Sequence, residues 1–493
     1  MNSSRFWQKR TGKSSFKEVS GFDLFYQLTY MSAVAAAGIS RSRIFQLASK
    51  LPSPSSRYFE KIDILSQKLA YNYPEACSMV GEAAKSKEMK SFLLRLSDAL
   101  TSGEPMADFL AREAQVQGEY YSNEYERDLE SLRKWTDAYA ALIVSVALIV
   151  IINLISTMIY EMETALMAGL AVLAATMGFF GAWVLSRSAP KEVRSVSSSE
   201  GSREQRLSRK LLKVLAPVTL VACLSLALLG VELRWLLVLA SFLLLPIGRV
   251  GLLIDRRTSK KDEEISSFLR SLGGMATSTG TTLTEALTRI DISSFPALEP
   301  DVKRLHQRLV AFIDPKLCWQ KFEAETGSKL ISQGASIFHD AVDMGADPER
   351  VGFLCSLFAT KTVMLRAKRR VVSSTFVWLS MVMHVAVVAL MVFIVEIIGK
   401  FQSLIEGLAL ERGEQAVQMM ALPIPLLAFG SAQIRFLYQM TIFMILLLTL
   451  TNTLALIATD GGHISKAFCY LCISLFIVGA SLLYVPPLVN MIM

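Results

Sequence analysis

Seven apolar stretches, each about the 20 residues that a helix needs to cross a bilayer, interrupt a chain that is otherwise rich in polar positions. The pattern predicts seven membrane-spanning helices, at 139–160, 165–186, 214–231, 235–254, 371–398, 436–458 and 467–489. An eighth run, at 420–430, is too short to span and contains Pro423 and Pro425. The sequence leaves open whether this run is re-entrant or an eighth span.

The polar regions between the spans show helical periodicity, with apolar residues returning every three or four positions. Phe22, Tyr26 and Tyr30 share one helix face in this way, and Phe268 and Leu272 share another. The expected layout is a basic tail (1–15), helical module 1 (16–137), four spans (138–254), helical module 2 (255–370) and three spans (371–493). Segment 399–435 is expected outside the membrane or at its surface, with a short amphipathic helix over 400–418. The fold class predicted is an all-α polytopic membrane protein with two repeated helical bundles.

The two modules carry the same turn signals 242 residues apart. A glycine two residues before a capping residue is typical of one helix ending and the next beginning, because glycine readily takes the left-handed position after a helix. The glycines are Gly38, Gly103, Gly280 and Gly345, and the residues that open the next helices are Ser40, Pro105, Thr282 and Asp347. Thr282 with Glu285 fits a capping box, and Pro348 suits the first helical position. The spacing predicts a duplicated helical module.

Charge decides the expected orientation. The chain is 52% hydrophobic and 19% charged, and its net charge of +8 is concentrated in the loop 187–213 and beside residues 255 and 370. Because basic loops stay on the cytoplasmic side, both modules are expected in the cytoplasm and the C-terminus outside. Residues 1–20 lack the apolar core of a signal peptide. The six scattered cysteines are expected to be reduced and mostly packed.

Three motifs suggest chemistry, and in each the simpler interpretation is favoured. The run 12–14 (Gly-Lys-Ser) resembles the end of a phosphate-binding loop, but Trp7 stands where that loop needs its first glycine. Cys469 and Cys472 have the spacing of half a zinc site and lack a second pair. His384, the only histidine within a span, is expected to pack against another helix or to make one hydrogen bond. No catalytic residue, metal ligand or cofactor site is predicted.

The spans contain almost no Asp, Glu, Lys or Arg. Transporters and intramembrane aspartyl proteases need ionisable groups inside their helix bundles, so this pattern argues against both classes. Asp460, followed by two glycines, is interpreted as a loop aspartate without a partner.

Two basic clusters border the second module. Arg256 and Arg257 follow the fourth span; the residues before the fifth span are Arg366, Lys368, Arg369 and Arg370. Attraction to anionic lipid, about 1 kcal/mol per residue near the surface, explains such clusters without a protein partner. Contact of some of these residues with an acidic cytoplasmic protein is the alternative, and the sequence leaves both interpretations open.

Several short motifs together resemble one protein family. They are Phe-Leu-Arg-x-Leu at 268–272, Leu-x-x-Ala-Leu at 283–287, Cys-Trp at 318–319, Glu-Thr-Gly-Ser at 325–328, Asp-Ala at 340–341, Leu-Arg at 365–366, Lys-Arg at 368–369, Ser-Thr-Phe at 374–376, Met-His at 383–384 and Asp-Gly-Gly-His at 460–463. With two copies of the helical module, the chain resembles the archaeal branch of the type II secretion F-domain platform proteins.

The resemblance implies a non-enzymatic membrane platform of an archaeal type IV filament machine, either an archaellum or a pilus. It implies as partners a hexameric cytoplasmic secretion ATPase, pilin-like or archaellin-like subunits, other motor proteins, membrane lipids and a second copy of the chain in a dimer. Nucleic acid is not among them. The six basic residues named above are then expected to contact the ATPase. The alternative is a solute transporter or membrane enzyme with cytoplasmic helical domains. The filament type, the oligomeric state and the module that meets the ATPase stay open.

The expected orientation can be tested by labelling single cysteines at positions 200 and 493 on a cysteine-free background. An impermeant maleimide applied to intact cells should label Met493→Cys, whereas Glu200→Cys should react only after permeabilisation, because the basic loop lies inside. The opposite pattern of labelling would overturn the orientation.

Overall fold

The computed structural model describes residues 19–159, 164–192, 194–195, 201–412 and 431–492. In chain order its α-helices are α1 (Gly21–Ala35), α2 (Arg41–Ser49), α3 (Ser56–Leu69), α4 (Tyr73–Glu82), α5 (Lys87–Ser102), α6 (Met106–Ile159), α7 (Thr164–Ser188), α8 (Arg203–Leu228), α9 (Leu233–Thr279), α10 (Leu283–Arg289), α11 (Glu299–Val310), α12 (Pro315–Thr326), α13 (Lys329–Asp343), α14 (Pro348–Arg412), α15 (Ser431–Asp460) and α16 (Ala467–Ile492). Within the described residues, seven helices are long and apolar enough to cross a membrane. The predicted all-α polytopic membrane fold is thereby confirmed.

The chain divides into two compact units. The first comprises Met1–Glu126, Ser195–Gly201 and Thr258–Leu365, and it contains both copies of the repeat. The second comprises Arg127–Arg194, Ser202–Arg257 and Arg366–Met493, and it contains most of the apolar helix length. Helices α6, α9 and α14 have residues in both units and run without a break past the expected module boundaries.

The repeat is visible in the backbone, because elements 242 residues apart share their starts and turns. The matching helix starts are 41 and 283, 73 and 315, 87 and 329, and 106 and 348. Residues with positive φ also match: Gly38 with Gly280, Gly103 with Gly345, and Ala70 with Phe312. We refer to residues 19–126 as repeat 1 and to residues 258–365 as repeat 2.

Short polar side chains begin the helices of both repeats. Ser40 Oγ accepts from the Arg43 amide at 3.3 Å, and Thr282 Oγ1 accepts from the Glu285 amide at 3.4 Å. The Glu285 carboxylate accepts from Arg289, one turn further along α10.

Helices α6 and α14 begin with a backbone carbonyl and a side-chain cap, respectively. Asp347 accepts from the amide of Arg350 at 3.3 Å, ahead of Pro348 as the first residue of α14. The carbonyl of Pro105 accepts the first amide bonds of α6. Each of these groups satisfies donors that a helix start leaves unpaired.

Helix α1 is buried on all sides, from Leu24 to Ala35 without interruption. One face, including Leu24 and Met31, joins the apolar core of repeat 1. The opposite face meets repeat 2: the Tyr26 ring lies 6.0 Å from the Phe358 ring, and the Tyr30 hydroxyl donates to Asp340 at 2.9 Å. The aromatic face expected from the sequence thus packs between the repeats.

Two ion pairs join equivalent positions of the repeats. Asp108 of α6 lies 3.6 Å from Arg350 of α14, and Glu119 lies 2.6 Å from Lys361. In each pair the two residues are 242 positions apart in the sequence, which is the repeat offset. Because the two contacts follow the same order along both helices, the starts of α6 and α14 run side by side in the same direction.

Repeat 2 has a core of aromatic side chains. The Trp319 ring lies 5.7 Å from the Phe322 ring and 6.2 Å from the Phe338 ring, and all three are buried. Buried Ser328 begins α13 and donates to buried Asp262. These contacts give structural roles to the Cys-Trp and Glu-Thr-Gly-Ser motifs.

Helices of the second unit pack as antiparallel pairs. The Asn153 amide of α6 donates to the Met167 carbonyl of α7 at 3.2 Å. Ser380 of α14 donates to Asn452 of α15, and one turn further His384 Nε2 lies 3.5 Å from Thr449 Oγ1. His384 is buried and within reach of one hydrogen bond, as expected.

One expectation needs correction and others lie outside the described residues. The residues from 400 to Arg412 continue α14 instead of forming a separate surface helix, because no proline interrupts them. The run 420–430, the tail 1–15 and the Gly-Lys-Ser motif lie outside the described residues.

Adding a methyl group at two glycines of repeat 2 should have opposite effects. Gly345 has φ of +93°, where alanine is strained, so Gly345→Ala should destabilise the protein by about 1 kcal/mol. Gly274 lies within α9, where an added Cβ meets nothing within 4 Å. Gly274→Ala should therefore be neutral or stabilising, since alanine is the better helix former. Thermal unfolding of the full chain in detergent measures both, and equal melting temperatures for the two variants would contradict this account of the turn.

Candidate functional site

The six basic residues predicted to contact a partner fall into two groups. Arg366 and Arg369 are buried, Arg369 with only 2% of its surface exposed. Arg256, Arg257, Lys368 and Arg370 are exposed. All six belong to the second unit. Burial separates residues that the sequence had grouped by charge alone.

Arg369 binds the end of α15. Its guanidinium donates to the carbonyls of Thr459 at 3.1 Å and Ala458 at 3.0 Å, and to the Pro190 carbonyl at 2.8 Å. The last carbonyls of a helix have no partner within it and carry partial negative charge. The Arg369 guanidinium supplies both the missing hydrogen-bond donors and a positive charge. Arg369 therefore joins α14 to α15 and to the segment after α7.

Arg366 forms the second buried contact. Its Nε donates to Glu192 at 2.6 Å, and Arg194 lies 3.8 Å from the same carboxylate. Burial raises the pKa of Glu192, but the positive charges of Arg366 and Arg194 outweigh burial and hold that pKa below its usual range. Glu192 therefore stays ionised and fixes the segment after α7 against α14.

The Asp-Gly-Gly-His motif completes this cluster. Asp460 lies 2.7 Å from Lys466, so the interpretation of Asp460 as a loop aspartate without a partner is wrong. Lys466 also donates to Asp255 of α9 at 3.1 Å. Since the lysine ammonium pairs with both carboxylates, this geometry is an ion-pair network and differs from the facing acids of an aspartyl protease.

Gly461 is required by this arrangement for two reasons. Its φ is +64°, and a Cβ at this position would overlap the Arg369 guanidinium. The Lys-Arg motif and the Asp-Gly-Gly motif, ninety residues apart, thus meet at one point. We call Arg366, Arg369, Glu192, Asp255, Asp460 and Lys466 the charged cluster.

The cluster gathers one end of five predicted spans. The ends of the second, fourth and sixth spans (after 186, 254 and 458) meet the starts of the fifth and seventh (before 371 and 467). Spans that cross a membrane alternately have these five ends on one side. The contacts agree with that alternating path.

The four exposed basic residues of the predicted contact lie outside the charged cluster, on helices α9 and α14. Arg256 and Arg257 are on α9, with Arg257 donating to Glu204 of α8, and Lys368 and Arg370 are on α14. These side chains can offer positive charge to an anionic surface.

The cysteine motif of the last span has a structural explanation. The Cys472 carbonyl of α16 accepts from Ser241 of α9 at 2.9 Å, so the Cys-x-x-Cys segment is a helix-packing surface. All six cysteines are free. In the described part of the chain, no three His, Cys, Asp or Glu side chains are grouped to hold a metal ion.

The sequence interpretation missed Glu192, Asp255 and Lys466. Glu192 is an acidic residue inside a strongly basic loop, and Lys466 lies four residues after the Asp-Gly-Gly motif. Opposite charges beside predicted span ends were the signal that could have indicated them.

Comparison with known proteins confirms the resemblance. The chain is 25% identical over 324 residues to the protein called Flagella accessory protein J of Methanocaldococcus jannaschii, and 22% identical over 323 residues to the protein of that name of Methanococcus voltae. Each match covers 63% of this chain and 57% of the relative, so the chain aligns with less than two thirds of either protein. No family model and no solved structure matches.

Arg369 should contribute far more to stability than its neighbour Arg370. Arg369→Ala leaves three carbonyls without this donor, two of them buried and one partly buried, and at about 1 kcal/mol for each lost hydrogen bond the expected loss is about 3 kcal/mol. Arg370→Ala removes an exposed side chain of the same type and is the matched control. Thermal unfolding in detergent should show a large drop in melting temperature for the first variant only. A similar small drop for both would show that Arg369 does not hold α15.

Proposed function

We propose that this chain is the membrane platform of an archaellum-type filament machine. It anchors a cytoplasmic secretion ATPase and couples it to the assembly of pilin-like or archaellin-like subunits, with other motor proteins and lipids around it. Both repeats lie in the cytoplasm and the C-terminus lies outside. The similarity to two flagella accessory proteins supports this role. The chain itself acts through contacts and is not an enzyme.

The observation that carries the proposal is the division of basic residues on α14. Within little more than one turn, Arg366 and Arg369 point into the protein while Lys368 and Arg370 are exposed. A partner bound to the exposed residues therefore acts on a helix whose other face is tied to α15 and to the segment after α7. Contact and transmission are carried by different side chains of one helix.

The ATPase contact consists in this proposal of the exposed residues Arg256, Arg257, Lys368 and Arg370. Arg366 and Arg369 act inside the protein and hold the spans. Four cations on two helices attract an acidic surface over a Debye length, and the attraction weakens with salt. A second copy of the chain, forming a dimer, would double this surface.

Reversing the four exposed charges should abolish ATPase binding. The variant is Arg256→Glu, Arg257→Glu, Lys368→Glu and Arg370→Glu, purified in detergent so that lipid no longer contributes. Co-purification of the ATPase should be lost, and wild-type binding should fall as salt rises.

The control variant reverses four exposed basic residues of repeat 1, namely Arg57, Lys68, Lys87 and Lys90. It has the same net charge and should bind normally. If the first variant still binds the ATPase, the exposed residues only attract anionic lipid and set the orientation of the chain in the membrane. If both variants lose binding, total charge and not position drives the contact.

A further inference from the structure

An exposed apolar turn joins α11 to α12 in repeat 2. Phe312 is 96% exposed, and Val310, Ile313 and Leu317 beside it are 41–50% exposed. We call these four residues the apolar tip. Phe312 also has φ of +55°, the left-handed region that non-glycine residues seldom adopt.

Repeat 1 makes the same turn with fewer exposed apolar side chains: Leu69 is exposed, but Tyr71, the counterpart of Ile313, packs against the core of repeat 1. Ala70, the equivalent of Phe312, has φ of +56°, and the following helix begins in both repeats at a short polar cap, Asn72 or Asp314. The counterparts of Val310 and Leu317 are Lys68 and Glu75. The fold therefore needs the turn but does not need an aromatic residue there.

The side chain of Phe312 is thus unfavourable in two ways in the isolated chain. It exposes an aromatic ring to water, and it is placed on a strained backbone. Because Ala70 shares this φ, the backbone conformation belongs to the fold, whereas an exposed apolar patch is typical of an interaction site.

The charges around the tip favour a protein partner over a lipid surface. Asp314 lies between Phe312 and Leu317, where it accepts from the amide of Lys316 at 3.2 Å. Arg308, the nearest basic residue before the tip, pairs with Glu325 at 2.5 Å. Membrane-binding segments combine apolar residues with an excess of positive charge, whereas here Asp314 balances Lys316.

We propose that the apolar tip inserts into an apolar socket of a partner protein and, resting on the function proposed above, that this protein is the cytoplasmic ATPase. The turn presents Phe312 as the central anchor, with Val310, Ile313 and Leu317 around it. Central aromatic anchors dominate protein interfaces in this way.

Photo-crosslinking identifies what covers the tip. Phe312→p-benzoylphenylalanine keeps an aromatic ring at the position, and Leu69→p-benzoylphenylalanine places the same probe on the equivalent turn of repeat 1, where Leu69 is 48% exposed. In cells that contain the full assembly, the probe at 312 should crosslink to the ATPase and the probe at 69 should not. Crosslinks from 312 to lipid or to a second copy of the chain, or no crosslink at all, would overturn the proposal.

Binding of the purified ATPase to the full chain in detergent separates this inference from the proposed function. Phe312→Ala retains the turn, since Ala70 adopts the same φ, and should weaken binding about 10-fold, as loss of an aromatic anchor does. That loss should persist at high salt, where contacts between exposed charges are screened. Leu69→Ala is the control and should bind normally. If Phe312→Ala binds the ATPase as tightly as the wild-type chain does, the proposal for the apolar tip is wrong and the proposed function is unaffected. If the wild-type chain itself binds no ATPase, the proposed function is wrong as well.

Discussion

A helix that ends inside a protein leaves its last carbonyl groups without hydrogen-bond partners, and burial makes that deficit expensive. In the second unit the end of α15 meets this constraint through one side chain, Arg369 of α14. The consequences extend outward from there. Gly461 must lack a side chain to admit the guanidinium, and Asp460 must pair with Lys466 to stay buried as a charge. Arg366 of the same helix forms an ion pair with Glu192. The ends of several spans are therefore in contact at one place.

The first unit contains two repeats that share one backbone conformation but expose different side chains. The turns at Ala70 and Phe312 have the same φ to within one degree, yet one exposes a methyl group and the other a phenyl ring. The pairs Asp108–Arg350 and Glu119–Lys361 show the converse, since equivalent positions have diverged to opposite charge and now attract each other. Divergence on a shared backbone allows a pseudo-symmetric unit to offer distinct contacts to distinct partners. It also supplies an internal control for each substitution.

Local features of this chain were predictable and long-range ones were not. The spans follow from apolar runs, and the helix ends at Gly38 and Gly345 depend on residues within a few positions of each glycine. The burial of Arg369 depends on carbonyls 90 and 179 residues away, which no local pattern reports. Charge counting therefore grouped Arg366 and Arg369 with their exposed neighbours. The pairing of Asp460 was missed although its partner, Lys466, lies only six residues further along the chain.

The central claim is that a partner binds the exposed face of α14 while Arg369 passes the resulting motion to α15. Arg369→Lys tests it directly, because lysine keeps the charge but cannot reach three carbonyls at once. The measurement is ATPase co-purification together with filaments per cell, in a strain where the variant is inserted at normal abundance. We expect normal ATPase binding and few or no filaments. Normal filament numbers would contradict the account, as would loss of ATPase binding, since either result would mean that contact and transmission are not divided between the two faces of this helix.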